Sequence, residues 1–500
     1  MSKLVTLGLL LAFAAIPAQG QELIFGANVG ARWDSNVQNV PNGDSDFSAR
    51  VGPEVRLRQE QGDLTYDFHY VPTYQAYSRF ASLDDWDQLV NSMVTYQLGP
   101  ATSLQVRDLF DYAPVTTNFL QQLTTPAGAP LGTQVINAIG RYNALINTAS
   151  IDLKHQWSEL WEGEATVSSF YYDPKIQGGI STNNTSAGGT VTYAITPRDQ
   201  LGGALGFTAQ QFGSNNVQSS TTSYFYNVSG VWNHEFSPTW KLNISAGPAL
   251  ADTGAVSTAP TLSVAEFPSQ SFGGLSALFD FTHCPTVPTL GNGRSLLNLC
   301  GPPTILTSSN SPLVSSTIPV PVQGVSAGST TNLTYFANIL LTKQWETVTA
   351  NLGFVRSAGS SGLFSSSTVI NTVNGSLVWT ESPVWTTSLS VYWTDQSNSS
   401  NQTIGAQEIV QGSPNLGFQL ARAAGVIFQQ QNNTINVYQW VVGLHSDYKL
   451  TKRLSIFGNF FYLNQTSSQQ GGAPLNLSSL NYDATRIDLG FHYEFDPIHL

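Results

Sequence analysis

Residues 47–58 read FSARVGPEVRLR. Phe47, Ala49, Val51, Pro53, Val55 and Leu57 alternate with Ser48, Arg50, Gly52, Glu54, Arg56 and Arg58. Successive side chains of a strand point to opposite faces, so a strict two-residue period writes a strand with one apolar and one polar face. The same period governs residues 64–74, 240–250, 385–393 and 438–448. A chain that keeps this pattern from near its start to its end is committed to sheet.

Between the alternating runs lie two kinds of connection. Some are tight, as at Gly99-Pro100, Pro197-Arg198, Pro238 and Pro383; others are long, as at 38–46, 79–87, 113–140, 253–329 and 397–433. Short and long alternate along the whole chain. Eighteen runs result, from 23–37 and 47–58 at one end to 453–466 and 483–495 at the other. An even number of antiparallel strands, with short turns on one side and long loops on the other, predicts a transmembrane β-barrel of the outer-membrane type. A closed sheet pairs every backbone group internally, which hydrocarbon demands.

Aromatic residues fit that prediction. Trp157, Trp161, Phe236, Trp240, Trp345, Trp379, Trp385 and Tyr448 flank tight turns, and Trp33, Tyr74, Tyr112, Tyr171, Tyr224, Trp393 and Tyr438 lie toward the long loops. Rings with an apolar body and a polar edge settle at the two membrane interfaces. The first set predicts a periplasmic girdle and the second an outer one. A secreted β-solenoid, the rival all-β reading, has no reason to carry paired girdles.

Residues 1–20 read as a secretory signal peptide: Lys3, an apolar run Leu4–Ile16, then small Ala18 and Gly20. Residues 21–500 then form one barrel domain with 253–329 as its longest outer loop. No later run has about 18 apolar residues, so no transmembrane helix is expected. Charged residues are only 10% of the chain against about 25% for soluble domains. A net charge of −12 argues against nucleic acid as partner. Cys284 and Cys300, in an exported chain and one loop, predict a disulfide. The long loop is expected to be ordered around it and to narrow the outer mouth.

The C-terminus reads RIDLGFHYEFDPIHL. Its pattern Asp488-x-Gly490-x-x-Tyr493-x-Phe495 resembles the terminal signal read by the barrel-assembly machinery, although five residues follow the final aromatic. Segment 483–495 is therefore the expected contact with that machinery. In the N-terminal third, GARWDSNV, the SDF opening of the second strand, RVGPEVRL and the Tyr-rich third strand resemble bacterial outer-membrane β-barrel proteins, porin-like in architecture, of the kind often associated with exopolysaccharide systems. The resemblance covers about residues 25–112. It implies a bacterial outer-membrane location and a link to polysaccharide, and carries over no site residues.

On the polar face, charges gather on the first six and last three strands. Arg32, Asp34, Arg50, Glu54, Arg56, Arg58, Asp67, Arg107, Asp111, Asp152, Lys154, Asp447, Lys449, Arg486, Asp488 and Glu494 are expected to line the lumen. Closure brings the last strand beside the first, so these charges form one wall. The opposite wall is Ser, Thr, Asn, Gln and Gly, with inward Phe170, Tyr172, Phe225, Phe336 and Tyr392. Balanced charge facing hydroxyls and rings suits small neutral polar solutes, saccharides among them. The leading expectation is thus a porin-like channel set in outer-membrane lipid and lipopolysaccharide. An export conduit or accessory for exopolysaccharide is the alternative.

An enzyme in the barrel is a third reading. His69, His445 and His492, with Asp67, Asp447 and Asp488 nearby, are its candidates, but no Gly-x-Ser-x-Gly or His-Glu-x-x-His motif supports it. No cofactor is expected. The outer-loop residues Asp44, Asp46, Asp84, Asp85 and Asp87 form a candidate surface site for a divalent cation such as calcium, without the spacing of a complete calcium loop.

Overall fold

The structure is a computed structural model. It describes residues 20–60, 62–114, 119–124, 130–136, 142–175, 181–213, 220–253, 261–265, 317–321, 330–361, 364–400, 433–470 and 481–500. Cys284 and Cys300, and most of 253–329, lie outside the described residues.

The first five barrel strands are β1 (Gln21–Asp34), β2 (Asp46–Gln59), β3 (Leu64–Tyr77), β4 (Asp85–Gly99) and β5 (Thr102–Pro114). A small hairpin follows, β6 (Phe119–Thr124) and β7 (Pro130–Ile136). The barrel resumes with β8 (Asn143–Gln156), β9 (Trp161–Pro174), β10 (Thr182–Thr196), β11 (Asp199–Phe212), β12 (Thr221–Ser237) and β13 (Trp240–Thr253). The segments β14 (Thr261–Ala265) and β15 (Thr317–Pro321) pair only with each other. Seven strands complete the wall: β16 (Thr330–Gln344), β17 (Val348–Ser361), β18 (Phe364–Ser382), β19 (Trp385–Ser400), β20 (Asn433–Lys449), β21 (Leu454–Gln470) and β22 (Tyr482–Glu494). The last element, β23 (Ile498–His499), pairs with Glu22 and Leu23.

Eighteen strands thus form a closed antiparallel barrel. Each pairs with its neighbour in sequence, and β22 pairs with β1 from Gly26↔Glu494 to Asp34↔Arg486. The predicted runs and the observed strands agree within a few residues. Prolines mark the pairing gaps. The β2–β3 ladder lapses between Val51↔Tyr74 and Val55↔Tyr70, where Pro53 and Pro72 offer no N–H. The β12–β13 ladder lapses beside Pro248 in the same way.

The two faces separate as the alternation dictates. Val29, Val51, Leu205, Val228, Leu352, Leu444, Leu489 and Phe491 are exposed on the convex face, where an apolar surface meets lipid. Trp157, Trp161, Phe236, Trp240, Trp345, Trp379, Trp385 and Tyr448 are exposed beside the tight turns. Rings touch around this girdle, with Trp379–Trp385 at 6.2 Å and Trp385–Tyr448 at 6.3 Å between centroids. At the other edge Trp393 and Trp440 lie 6.4 Å apart. On β4, outward Trp86 and Tyr96 bracket the band. Ten residues at about 3.3 Å each, on a tilted strand, match a band about 25 Å tall.

The hairpin β6–β7 leaves the β5 side and crosses to the far wall. There β7 pairs in parallel with β17 over Gly359↔Thr133 to Ser361↔Val135. It fits because β16 pairs with β17 only as far as Ala337↔Arg356, leaving the outer edge of β17 open. The segment observed to cross the barrel is therefore within 113–140. Occlusion by 253–329 rests on residues outside those described.

Candidate functional site: the lumen wall

The polar face of each strand turns inward, and closure gathers its charges from both ends of the chain. Every charge named above as lumen-lining lies on the face opposite the exposed apolar set. Two pairs cross the seam. Arg32 grips Asp488 with Nε at 2.5 Å and Nη2 at 3.0 Å. Arg486 donates Nε to Asp34 at 2.6 Å and Nη2 to Asn39 at 2.9 Å. Asp34 also accepts from the Asn36 backbone N–H at 2.9 Å, so this buried carboxylate is shared.

Further along the wall, Arg56 meets Asp67 in a two-pronged pair, with Nε–Oδ1 at 2.9 Å. Arg50 lies 3.6 Å from Asp87. Glu54 sits between two imidazoles, 2.7 Å from His69 Nε2 and 3.2 Å from His492 Nε2. Asp152 accepts from Thr166 at 2.8 Å and Ser150 at 3.1 Å. Arg107, Asp111, Asp447, Lys449 and Glu494 make no ion pair with another described residue.

Four carboxylates join this wall that the sequence reading left off it. Glu22 pairs with Arg58 at 2.8 Å, Asp87 approaches Arg50, and Glu162 and Glu164 lie 2.7 and 3.8 Å from Lys154. Glu162 and Glu164 fall beside a tight turn, where the alternation is cut short. Because each joins a base already counted, the expected balance of charge tilts to the acidic side.

Phe170 and Tyr172 are buried with Ala144 and Ile146, and Tyr172 meets the Tyr142 hydroxyl at 2.7 Å. Phe225 and Phe336 are buried on the facing wall. Tyr392 packs against Val441, Leu463 and Tyr482. Burial is uneven along the axis. Toward the long loops Gln75, Gln210, Gln396, Gln439 and Gln465 are wholly enclosed, and Gln439 donates to Gln465 at 2.8 Å. Toward the tight turns Lys154, His445 and Lys449 are open. Among the described residues, inward side chains are enclosed toward the long loops and open toward the tight turns.

A cavity of about 330 Å³ lies against the inner face of five neighbouring strands, β19 to β22 and β1. Arg32, Arg486 and Asp488 line one side; Ser388, Ser390, His445 and Asn459 line the other. His445 Nδ1 lies 2.6 Å from Asn459 Oδ1. Of the three histidines considered for catalysis, His69 and His492 face Glu54, and His445 faces Asn459 with Ser388 beside it in register.

The five acidic rim residues do not converge. Among the described residues no three His, Cys, Asp or Glu side chains come together as a metal cage. Asp46 instead ties two loops: it accepts from Phe47 N at 2.8 Å, Arg79 N at 3.0 Å, Phe80 N at 3.1 Å and the Ser78 hydroxyl. It stands at the loop junction, beyond the membrane band. Burial opposes its charge, yet these donors prevail and hold the carboxyl below its usual range. Asp84 accepts from Tyr77 N at 2.7 Å, Asp85 from Trp86 N at 2.7 Å, and Asp87 faces Arg50. Asp44 contributes its carbonyl to Val37 N at 3.0 Å. These carboxylates shape turns, as short polar side chains do.

A closed barrel with an apolar belt, two aromatic girdles and a polar interior has the architecture of outer-membrane barrels. No family model matches the chain, and no curated protein does. Solved structures of similar fold include the Ferric-Catecholate import receptor Fiu of E. coli, 10% identical over 94% of this chain and 81% of that one, TM-score 0.42. Another is OccK2 (OpdF) of Pseudomonas aeruginosa, 10% identical over 95% of this chain and 100% of that one, TM-score 0.36.

Proposed function

We propose that the chain is a bacterial outer-membrane channel for small polar solutes, with neutral polyhydroxylated molecules such as saccharides as its best fit. The cavity of about 330 Å³ carries this reading. Its hydroxyl, amide and imidazole groups lie beside guanidinium groups whose charge Asp34 and Asp488 already offset. Such a lining exchanges hydrogen bonds with hydroxyl groups without demanding a charged solute. The carboxylates beyond balance favour cations over anions, because selection follows the excess of one sign along the path. Strand 483–495 serves as the signal to the assembly machinery, and lipopolysaccharide surrounds the outer girdle.

Planar-bilayer recording tests the proposal. Purified protein should give discrete current steps that sugars reduce, and Asn459→Ala should weaken the sugar effect. Absence of steps would remove the channel; steps that no sugar alters would remove the saccharides.

A second reading follows from the uneven burial. A lumen whose inward side chains are open toward the tight turns and enclosed toward the long loops receives its solute from the periplasmic side. That supports an export conduit or accessory for exopolysaccharide. Deletion of the gene should then lower surface polysaccharide while leaving small-solute uptake unchanged.

A further inference from the structure

Among the described residues, the outward face carries a carboxylate near mid-height, besides a bonded row Arg356–Asn371–Asp395 level with the outer girdle. Asp108 lies on that face, in register with Ser92 on β4 and Ala149 on β8. Its neighbours on β5 along the same face are Val106 and Phe110, and beyond them Leu104 and Tyr112. Ser92 lies between the interface anchors Trp86 and Tyr96, so its partner Asp108 stands near the centre of the band. Asn147, also outward, donates Nδ2 to the Asp108 carboxylate at 2.8 Å.

The register row continues as Ala149, Ser169, Thr185 and Ala209 across β8 to β11. Larger apolar residues hold most of the row beneath it: Val94, Val106, Ile151, Val167 and Phe207, with Ala187 between the last two. A charged side chain facing lipid at the midplane costs up to about 2–4 kcal/mol for basic residues and less for acidic ones. Asn147 satisfies one carboxylate oxygen only. Small side chains permit close approach of a second backbone, and polar ones bond across such contacts.

We propose that this face packs against a second copy of the same chain. The patch is self-complementary in hydrogen bonding. It carries an acceptor, the second carboxylate oxygen of Asp108, and the hydroxyls of Ser169 and Thr185 on one surface. A two-fold contact brings each residue opposite a different one, so Asp108 of one copy meets donors of the other, and the reverse. A second copy also has the same belt height, so neither barrel is mismatched to the bilayer. The carboxylate then leaves lipid for a protein interface.

Site-specific cross-linking in native membranes tests the contact. Ala149→Cys places a thiol within the patch; Leu389→Cys places one on the outward face of the opposite wall and serves as control. With a short bismaleimide, Ala149→Cys should give a product of twice the chain mass, several-fold more than the control. Asp108→Leu in the Ala149→Cys background should reduce that product while heat-modifiable mobility persists, showing a folded barrel. Equal yields from the two cysteines would overturn the proposal. A product of any mass other than a multiple of this chain would overturn it as well, in favour of another membrane partner. Retention of the product in Asp108→Leu would show that the carboxylate does not specify the contact.

Discussion

Arg486 and Asp34 show what a charged residue does inside a barrel wall. Both side chains are almost wholly buried, at 3% and 2% exposure. Removing one partner of such a pair leaves an uncompensated charge and costs about 3–5 kcal/mol. Arg486→Ala should therefore lower the temperature at which the barrel loses its compact mobility in a gel. The double change Arg486→Met with Asp34→Leu should recover most of the loss, because two apolar groups leave no orphan charge. Asp46 makes a pH-dependent prediction. Its folded-state pKa is depressed, so its contribution is full above its unfolded value near 3.9 and is lost as pH falls through the lower folded value. Protease access to residues 78–84 should stay unchanged from neutral pH to about 4 and rise only below that. Asp46→Ala should expose the same loop at neutral pH. At this scale the alternation told inward from outward for Arg32 and Asp34 on β1 and for Arg50, Glu54, Arg56 and Arg58 on β2. It gave no warning of Asp108, because β5 reads Arg107-Asp108-Leu109 and places a polar residue on each face at once.

At the scale of elements, the strands were legible because period two is written at every turn of the pleat. Two things were not. One is the β6–β7 hairpin, whose partner β17 lies on the far wall, more than 200 residues away in sequence. Local pattern carries no trace of such a pairing. The other is the cavity, which needs Arg32 and Asn459 from strands joined only by closure. The hairpin makes a prediction: replacing 119–136 by a short Gly-Ser link should raise single-channel conductance several-fold without changing strand content by circular dichroism. Unchanged conductance would mean that the hairpin does not obstruct the path. Gly247 makes another. A Cβ there would stand 1.9 Å from the Val228 carbonyl oxygen, in the gap beside Pro248. Gly247→Ala should force β12 and β13 apart and destabilise by about 1–3 kcal/mol, within the range of strained core substitutions. Chemical denaturation of detergent-solubilised protein would measure it.

For the whole molecule, the lumen charge determines which ions pass. With Glu22, Asp87, Glu162 and Glu164 added to the wall, a salt gradient should give a reversal potential on the cation side of zero. Glu162→Gln with Glu164→Gln should move it toward zero. The shift should shrink as salt rises, since the screening length falls from about 10 Å at 0.1 M to about 3 Å at 1 M. A potential on the anion side would contradict the acidic tilt. The balanced lumen expected from sequence came from counting regular strand positions alone; residues at strand ends and turns supplied the difference.

The seam between β22 and β1 carries a kinetic consequence. Arg32–Asp488 and Arg486–Asp34 join residues more than 450 apart in sequence, so neither pair can form until the final strand has arrived. Loop-closure entropy makes contacts of that separation slow to form. Both pairs therefore belong to the end of the folding reaction. Contacts absent from the transition state govern how fast a fold comes apart more than how fast it forms. Arg32→Ala should thus leave the rate of barrel formation nearly unchanged and shorten the lifetime of the finished barrel. The two ion pairs act as a latch, set last, that keeps the molecule shut.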